Sequence, residues 1–181
     1  ITMKKLLNIL VGCMLTASLS SCLYHGLDDL ENSSDKKMTS VEYSYRFLYN
    51  DTIKKGTVNE EIQEGRVCEV IFQKNIENIE ENGIKGFKTT LTHNINSIQK
   101  AGPSGSVTKE MLYETFKEHI AQDGLNKLWV YVSISDAATL SPLDGAPKLG
   151  TPGDFSEDRF YRVTAADGSS QDYVLKTVKG F

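Results

Sequence analysis

His25, His93 and His119 are the histidines of this 181-residue chain, and no local metal-ligand spacing such as H-x-x-x-H occurs among them. Each reads as a solvated or half-buried structural side chain. The acids offer more. Asp144, Asp154, Glu157 and Asp158, with Asp136 upstream, gather on and around one loop, and calcium takes oxygen ligands from such loops. Their spacing matches no EF-hand, and Asp-Gly and Asp-Phe pairs also build turns and caps, so no metal is expected. Of the cysteines, Cys68 sits in "RVCEVIF", a strand-like stretch with no histidine beside it, and reads as a small buried apolar residue. Cys22 stays open on residue type alone: a core thiol, half of a disulfide, or a modified end. Tyr43, Tyr45, Tyr49, Trp129 and Tyr131 would stack on sugar rings if exposed and fill a core if not. The chain contains no G-x-S-x-G elbow, Walker loop or dinucleotide-binding glycine pattern. Neither catalysis nor a cofactor is expected.

The elements that would hold these residues are mostly strands. In "SVEYSYRFLYN", Val41, Tyr43, Tyr45, Phe47 and Tyr49 alternate with Glu42, Ser44 and Arg46, a period of two. "RVCEVIFQKN" predicts a second strand with Cys68, Val70 and Phe72 in register. "GFKTTLTHNINSI" predicts a third through Phe87, Thr89, Leu91, His93 and Ile95. The polar stretch "IENIEENG" connects these two and ends in a turn at Asn82-Gly83. One helix is expected over about 108–122. Thr108 would cap it, Glu110 suits its first turn, Leu112, Phe116 and Ile120 with Met111 form its apolar stripe, and Gly124 ends it. "LWVYVSIS" carries apolar groups on both faces and predicts a central strand. A long loop over 136–158 comes next. "RFYRVTA" and "DYVLKTV" then form a hairpin around Asp167-Gly168. About six strands, paired antiparallel, with one helix inserted before the fourth, predict a mainly β fold: an immunoglobulin-like β-sandwich as a single domain over 39–181. The Cys…Trp…Cys pattern of antibody domains is missing.

Composition sets limits. The formal charge is −4, and residues 1–21 contain Lys4 and Lys5 but no acid, so residues 22–181 are more acidic still. That balance argues against a nucleic-acid partner. The head of the chain has the layout of a secretory signal peptide over 1–21. Met3 is the expected start, behind an over-extended reading frame or cloning scar at Ile1-Thr2. Lys4-Lys5 is the positive region, Leu6–Ala17 the short apolar region, and Ser18, Ser20 and Ser21 the small residues before Cys22. An apolar run this short falls below the roughly 20 residues that span a membrane.

"LSSC", Leu19–Cys22, resembles the lipobox of bacterial lipoproteins. The resemblance implies cleavage before Cys22, coupling of its thiol to diacylglycerol, and further acylation with chains such as palmitate. Several such chains, at about 0.8 kcal/mol per buried methylene, anchor durably. Leu23 after the cysteine leans toward the outer membrane, and residues 22–38 read as a flexible lipidated tether. With Cys13 removed and Cys22 acylated, Cys68 would have no disulfide partner. "SLSSCLYHGLDDL" (18–30), "ISDAATLSPLDGAPKLGTPGDFS" (134–156) and "YRVTAADGSSQDYVL" (161–175) together resemble a family of Bacteroidales-type lipoproteins of unknown function. The last two stretches are similar to the closing half of immunoglobulin-like surface modules, with Pro142, Asp154-Phe155 and Tyr161–Gly168 at the matching positions. The helix at 108–122 departs from those modules, and the family carries over no catalytic residue. "DTI", Asp51–Ile53, resembles the O-glycosylation sequon of these bacteria, with Thr52 as acceptor. The expectation is a non-enzymatic, outer-membrane-anchored envelope lipoprotein, periplasmic or surface-exposed, that binds a glycan or an envelope partner protein. The alternatives are an envelope hydrolase or its accessory subunit, and a structural subunit of a surface assembly.

Overall fold

Val41, Tyr43, Tyr45 and Phe47 are all buried along one face of a sixteen-residue strand, β1 (Met38–Ile53). The computed structural model describes residues 32–100, 102–103 and 105–181; the signal-like segment and Cys22 lie outside the described residues. Residues Ser34–Phe181 make one compact unit. Met38 belongs to β1 rather than to a tether. The two residues before it are tied down as well: Lys36 Nζ donates to Ser169 Oγ (2.9 Å) and the Lys37 amide to Ser135 Oγ (2.8 Å).

After β1 come β2 (Glu61–Ile71), β3 (Gln73–Glu81), β4 (Ile84–Thr92), β5 (Ile98–Lys100), the helix α1 (Lys109–Asp123), β6 (Leu128–Ile134), β7 (Thr139–Leu143), β8 (Pro152–Gly153), β9 (Arg159–Thr164) and β10 (Ser170–Lys179). They form two five-stranded sheets, with orders β5-β2-β1-β6-β8 and β3-β4-β10-β9-β7. Their inner faces share one core in a sandwich-like arrangement, and Thr177 Oγ1 of the second sheet lies 3.2 Å from the Tyr43 hydroxyl of the first. The chain passes from one sheet to the other at Phe72, with no loop between β2 and β3.

Four sequence expectations need correction. The polar "IENIEE" is strand, most of β3, because an edge strand with exposed faces needs no apolar alternation. The third strand stops at Thr92. Asn94 caps a 3-10 turn, Ile95–Ser97, through its side chain, and takes His93 and Ile95 out of the ladder. The 136–158 loop contains β7 and the two-residue β8. Finally, the second sheet is mixed. β10 runs antiparallel to β9 but parallel to β4, from Tyr173↔Lys85 to Lys179↔Leu91. At Gly86 a Cβ would stand 1.9 Å from the Val174 carbonyl oxygen, so a side chain there would push this pair apart.

The hairpin turns are where the sequence places them. Asn82 and Gly83 both have positive φ (52° and 80°), as a two-residue turn between Glu81 and Ile84 requires. Helix α1 buries Leu112, Phe116 and Ile120, accepts the Met111 amide on Thr108 and ends at Gly124, but Met111 itself is exposed. Phe116 packs edge-on against Tyr45 of β1 and His93 beyond β4, so the helix sits against the first sheet and the segment that follows β4. No described helix is long and apolar enough to cross a membrane.

Candidate functional site

The alternation that sends Tyr43 and Tyr45 into the core turns Glu42, Ser44, Arg46 and Leu48 outward, onto a face of the first sheet that no described element covers. Strand register builds rows across that face. One row is Pro152, Trp129, Ser44 and Ile71. The next is Arg46, Glu69 and Gln99. Leu48 and Val67 form a third, and Tyr131 faces Glu42 beyond the first. Rows two residues apart lie about 7 Å from each other. Leu48 is 68% exposed, Val67 44%, Ile71 41% and Tyr131 39%, which is unusual for apolar groups sharing one face.

The polar row is tightly organised. Arg46 donates from Nε and Nη2 to Glu69 Oε1 (2.9 and 2.8 Å), and Ser44 Oγ donates to the same oxygen (3.0 Å). The Arg46 guanidinium also lies over the indole of Trp129, 4.4 Å from the ring centroid. Three shallow depressions surround this pair. One of about 420 Å³ is lined by Leu48, Val67, Trp129 and Pro152. One of about 310 Å³ is lined by Val67, Glu69 and Gln99, and one of about 150 Å³ by Ile71 and Tyr131. A larger cleft, about 490 Å³, lies between the start of β1 and the β3–β4 hairpin. It lacks an exposed aromatic platform, and the Val41 carbonyl on the adjacent stretch of β1 is already taken by Lys74 Nζ (2.9 Å).

Of the aromatics marked in the sequence, Tyr43 and Tyr45 are core and Tyr49 faces inward, half-buried; Trp129 and Tyr131 reach the outer face. The acids of the 136–158 region are not drawn together. Asp154 caps Ser156 and pairs with Arg159, Glu157 approaches the same arginine, and Asp158 pairs with Lys176. No cluster of three metal-capable side chains occurs among the described residues. His93 Nδ1 lies 3.0 Å from the Tyr113 hydroxyl, and burial, then Lys117 and Lys179, hold its pKa below the ordinary histidine value. His119 stacks on Phe47. Cys68 is buried, and burial pushes its thiol up to about 11, far from the thiolate that a nucleophile needs. Thr52 turns to the outer face opposite Ile62, whereas Asp51 of the same sequon points inward.

Sequence reasoning missed the environment of Asp51. Its fully buried carboxylate accepts from Arg66 Nη1 (2.9 Å), Lys100 Nζ (3.0 Å) and the Val107 amide (3.0 Å). Only an isolated acid in an otherwise alternating strand hinted at it.

The DUF5018-related family matches residues 38–176, and the chain belongs to that family. A Bacteroides fragilis protein solved by crystallography as a "putative secreted protein" is 26% identical. That likeness covers 81% of this chain and 97% of the other, with a TM-score of 0.51. No curated protein matches the sequence.

Proposed function

We propose that this member of the DUF5018-related family is a non-enzymatic lipoprotein of the cell envelope. In this reading it is held in the outer membrane by acyl chains on Cys22 and carries an immunoglobulin-like binding module for an envelope glycan or partner protein. The observation that carries the binding role is the outer face of the first sheet, where, among the described residues, Leu48, Val67, Ile71 and Tyr131 stay exposed around the Arg46–Glu69 pair. A monomer gains nothing by leaving such a patch in water; a ligand that covers it does. The lipobox at Leu19–Cys22 and the description of the B. fragilis protein as secreted support a place outside the cytoplasm. The immunoglobulin-like reading rests on two packed sheets with the chain crossing between them, and the parallel β4–β10 pair is its departure from an all-antiparallel plan.

One set of measurements tests this reading. Cells fed labelled palmitate should yield labelled wild-type protein in the outer-membrane fraction, and unlabelled, uncleaved Cys22→Ala protein. Label on the Cys22→Ala protein would overturn the anchor. Detergent-solubilised full-length protein should bind isolated envelope fragments, and the double variant Leu48→Asp, Ile71→Asp should bind them at least about tenfold more weakly with its melting temperature kept, because both side chains already face water. Unchanged binding would remove this face from the proposal.

A further inference from the structure

We infer that the outer face of the first sheet is a trough for an uncharged oligosaccharide lying across the strands, with the Arg46–Glu69–Gln99 row as its floor. This rests on the binding role proposed above and names the ligand class. The floor is polar and its two flanks are apolar: Trp129, Pro152 and Ile71 on one side, Leu48 and Val67 on the other. A sugar chain has that alternation, with C–H faces that rest on aliphatic carbon and hydroxyls that donate and accept, while the Trp129 ring face turned to Arg46 supports the guanidinium rather than a sugar ring. Arg46 is held in place from two sides, by Glu69 and by the indole beneath it, so its donors are pre-organised. Among the described residues, the three side-chain hydrogen bonds to the Glu69 carboxylate all fall on Oε1, which leaves Oε2 as an acceptor for a ligand hydroxyl.

Charge sets the class. Each cation lining these depressions is matched within the chain: Arg46 by Glu69, Lys127 by Asp123, Lys100 by Asp51. An acidic glycan would find no unmatched cation, and an uncharged one needs none. A dry protein interface fits less well. Interface centres are depleted of charge, and here the centre is an ion pair whose side chains remain about one third exposed (33% and 31%) and would have to be desolvated. A hydroxylated ligand keeps both ions hydrogen-bonded.

Trp129 is the sole tryptophan of the chain, so intrinsic fluorescence reports on the trough itself. Detergent-solubilised full-length protein is titrated with maltohexaose, cellohexaose and mannohexaose as uncharged probes, and with hexagalacturonate as an acidic probe of equal length. At least one uncharged probe should shift the Trp129 emission saturably. Calorimetry on Trp129→Ala should then show binding weaker by about tenfold or more. Leu48→Asp, which keeps the reporter and replaces an exposed side chain, should weaken the fluorescence response to a similar degree. Three results overturn the inference. In one, no uncharged probe gives a shift or heat at millimolar concentration. In the second, hexagalacturonate alone binds. In the third, a dimer forms without sugar, seen by light scattering and abolished by Leu48→Asp, which would give the face to a second copy. If the uncharged probes fail while protease-sensitive binding to envelope fragments persists, the oligosaccharide assignment falls and the broader binding role stands on a protein partner.

Discussion

A chain ended at Gly168 should be insoluble or degraded by protease within the time that the full-length protein survives, with its far-ultraviolet strand signal lost. The truncation removes β10, which is a central strand. It pairs with β4 from Tyr173 to Lys179 and with β9 from Ser170 to Leu175. Among the described strands, β4 and β9 have no pairing with each other, so the second sheet would fall into β3–β4 and β9–β7. Tyr173, Val174 and Leu175 are all buried, and fully burying such side chains is worth roughly 1.5–3 kcal/mol each. Their sum alone approaches the total stability of about 5–15 kcal/mol typical of a domain. The loss does not stop there, because two strands would be left with open edges and the inner face of the first sheet would lose its cover. A soluble Gly168 truncation with an unchanged melting temperature would mean that the last strand is not integral to the fold. The central position of β10 also bears on the alternative of a surface-assembly subunit that exchanges its terminal strand: such an exchange would have to break ladders on both sides at once.

Period-two patterning carried most of the fold. The inward face of β1, the helix stripe Leu112, Phe116, Ile120, the Asn82-Gly83 turn and the final hairpin were all legible, because each is a local pattern. What was illegible is non-local or weakly patterned. β3 reads as a polar connection because an edge strand can be polar on both faces. The parallel β4–β10 pair joins residues 88 apart, Tyr173 with Lys85 and Lys179 with Leu91, and nothing in either segment records direction. The candidate site shows the same division. Trp129 and Tyr131 stood out as aromatics, but apolar groups on both faces of "LWVYVSI" fit a doubly covered strand as well as a strand with a binding face. Leu48, Val67 and Ile71 gave no signal at all, because a branched aliphatic in a strand is ordinarily core. Only their exposure in the folded sheet shows that no described element covers them.

Asp51→Asn should cost about 3–5 kcal/mol of stability, the loss expected when one partner of a buried ion pair is removed. The carboxylate is completely enclosed, and the side chains of its partners Arg66 and Lys100 are only 9% and 16% exposed. Asparagine preserves the shape but leaves two positive groups facing a neutral amide. The node also holds the chain's path. The Val107 amide donates to Asp51 Oδ1, the Ser106 amide to the Thr52 carbonyl, and a Cβ on Gly105 would lie 2.2–2.4 Å from the Asp51 carboxylate. The segment leading into α1 is thereby fastened to the β1–β2 hairpin and to β5. Burial raises the Asp51 pKa, but the Val107 hydrogen bond, Lys100 and Arg66 together outweigh it and hold the carboxyl below the ordinary aspartate value. A depressed native pKa contributes stability above the unfolded value, near 3.9, and loses it as pH falls through the native one. The melting-temperature gap between wild type and Asp51→Asn should therefore be widest near neutral pH and close below about pH 4. Replacing the whole group, Asp51→Leu with Arg66→Met and Lys100→Met, should recover much of the loss at neutral pH, because an apolar set of similar volume avoids the desolvation of all three charges. A gap that stays constant from pH 7 down to pH 3 would show that Asp51 acts by packing alone and not through its charge.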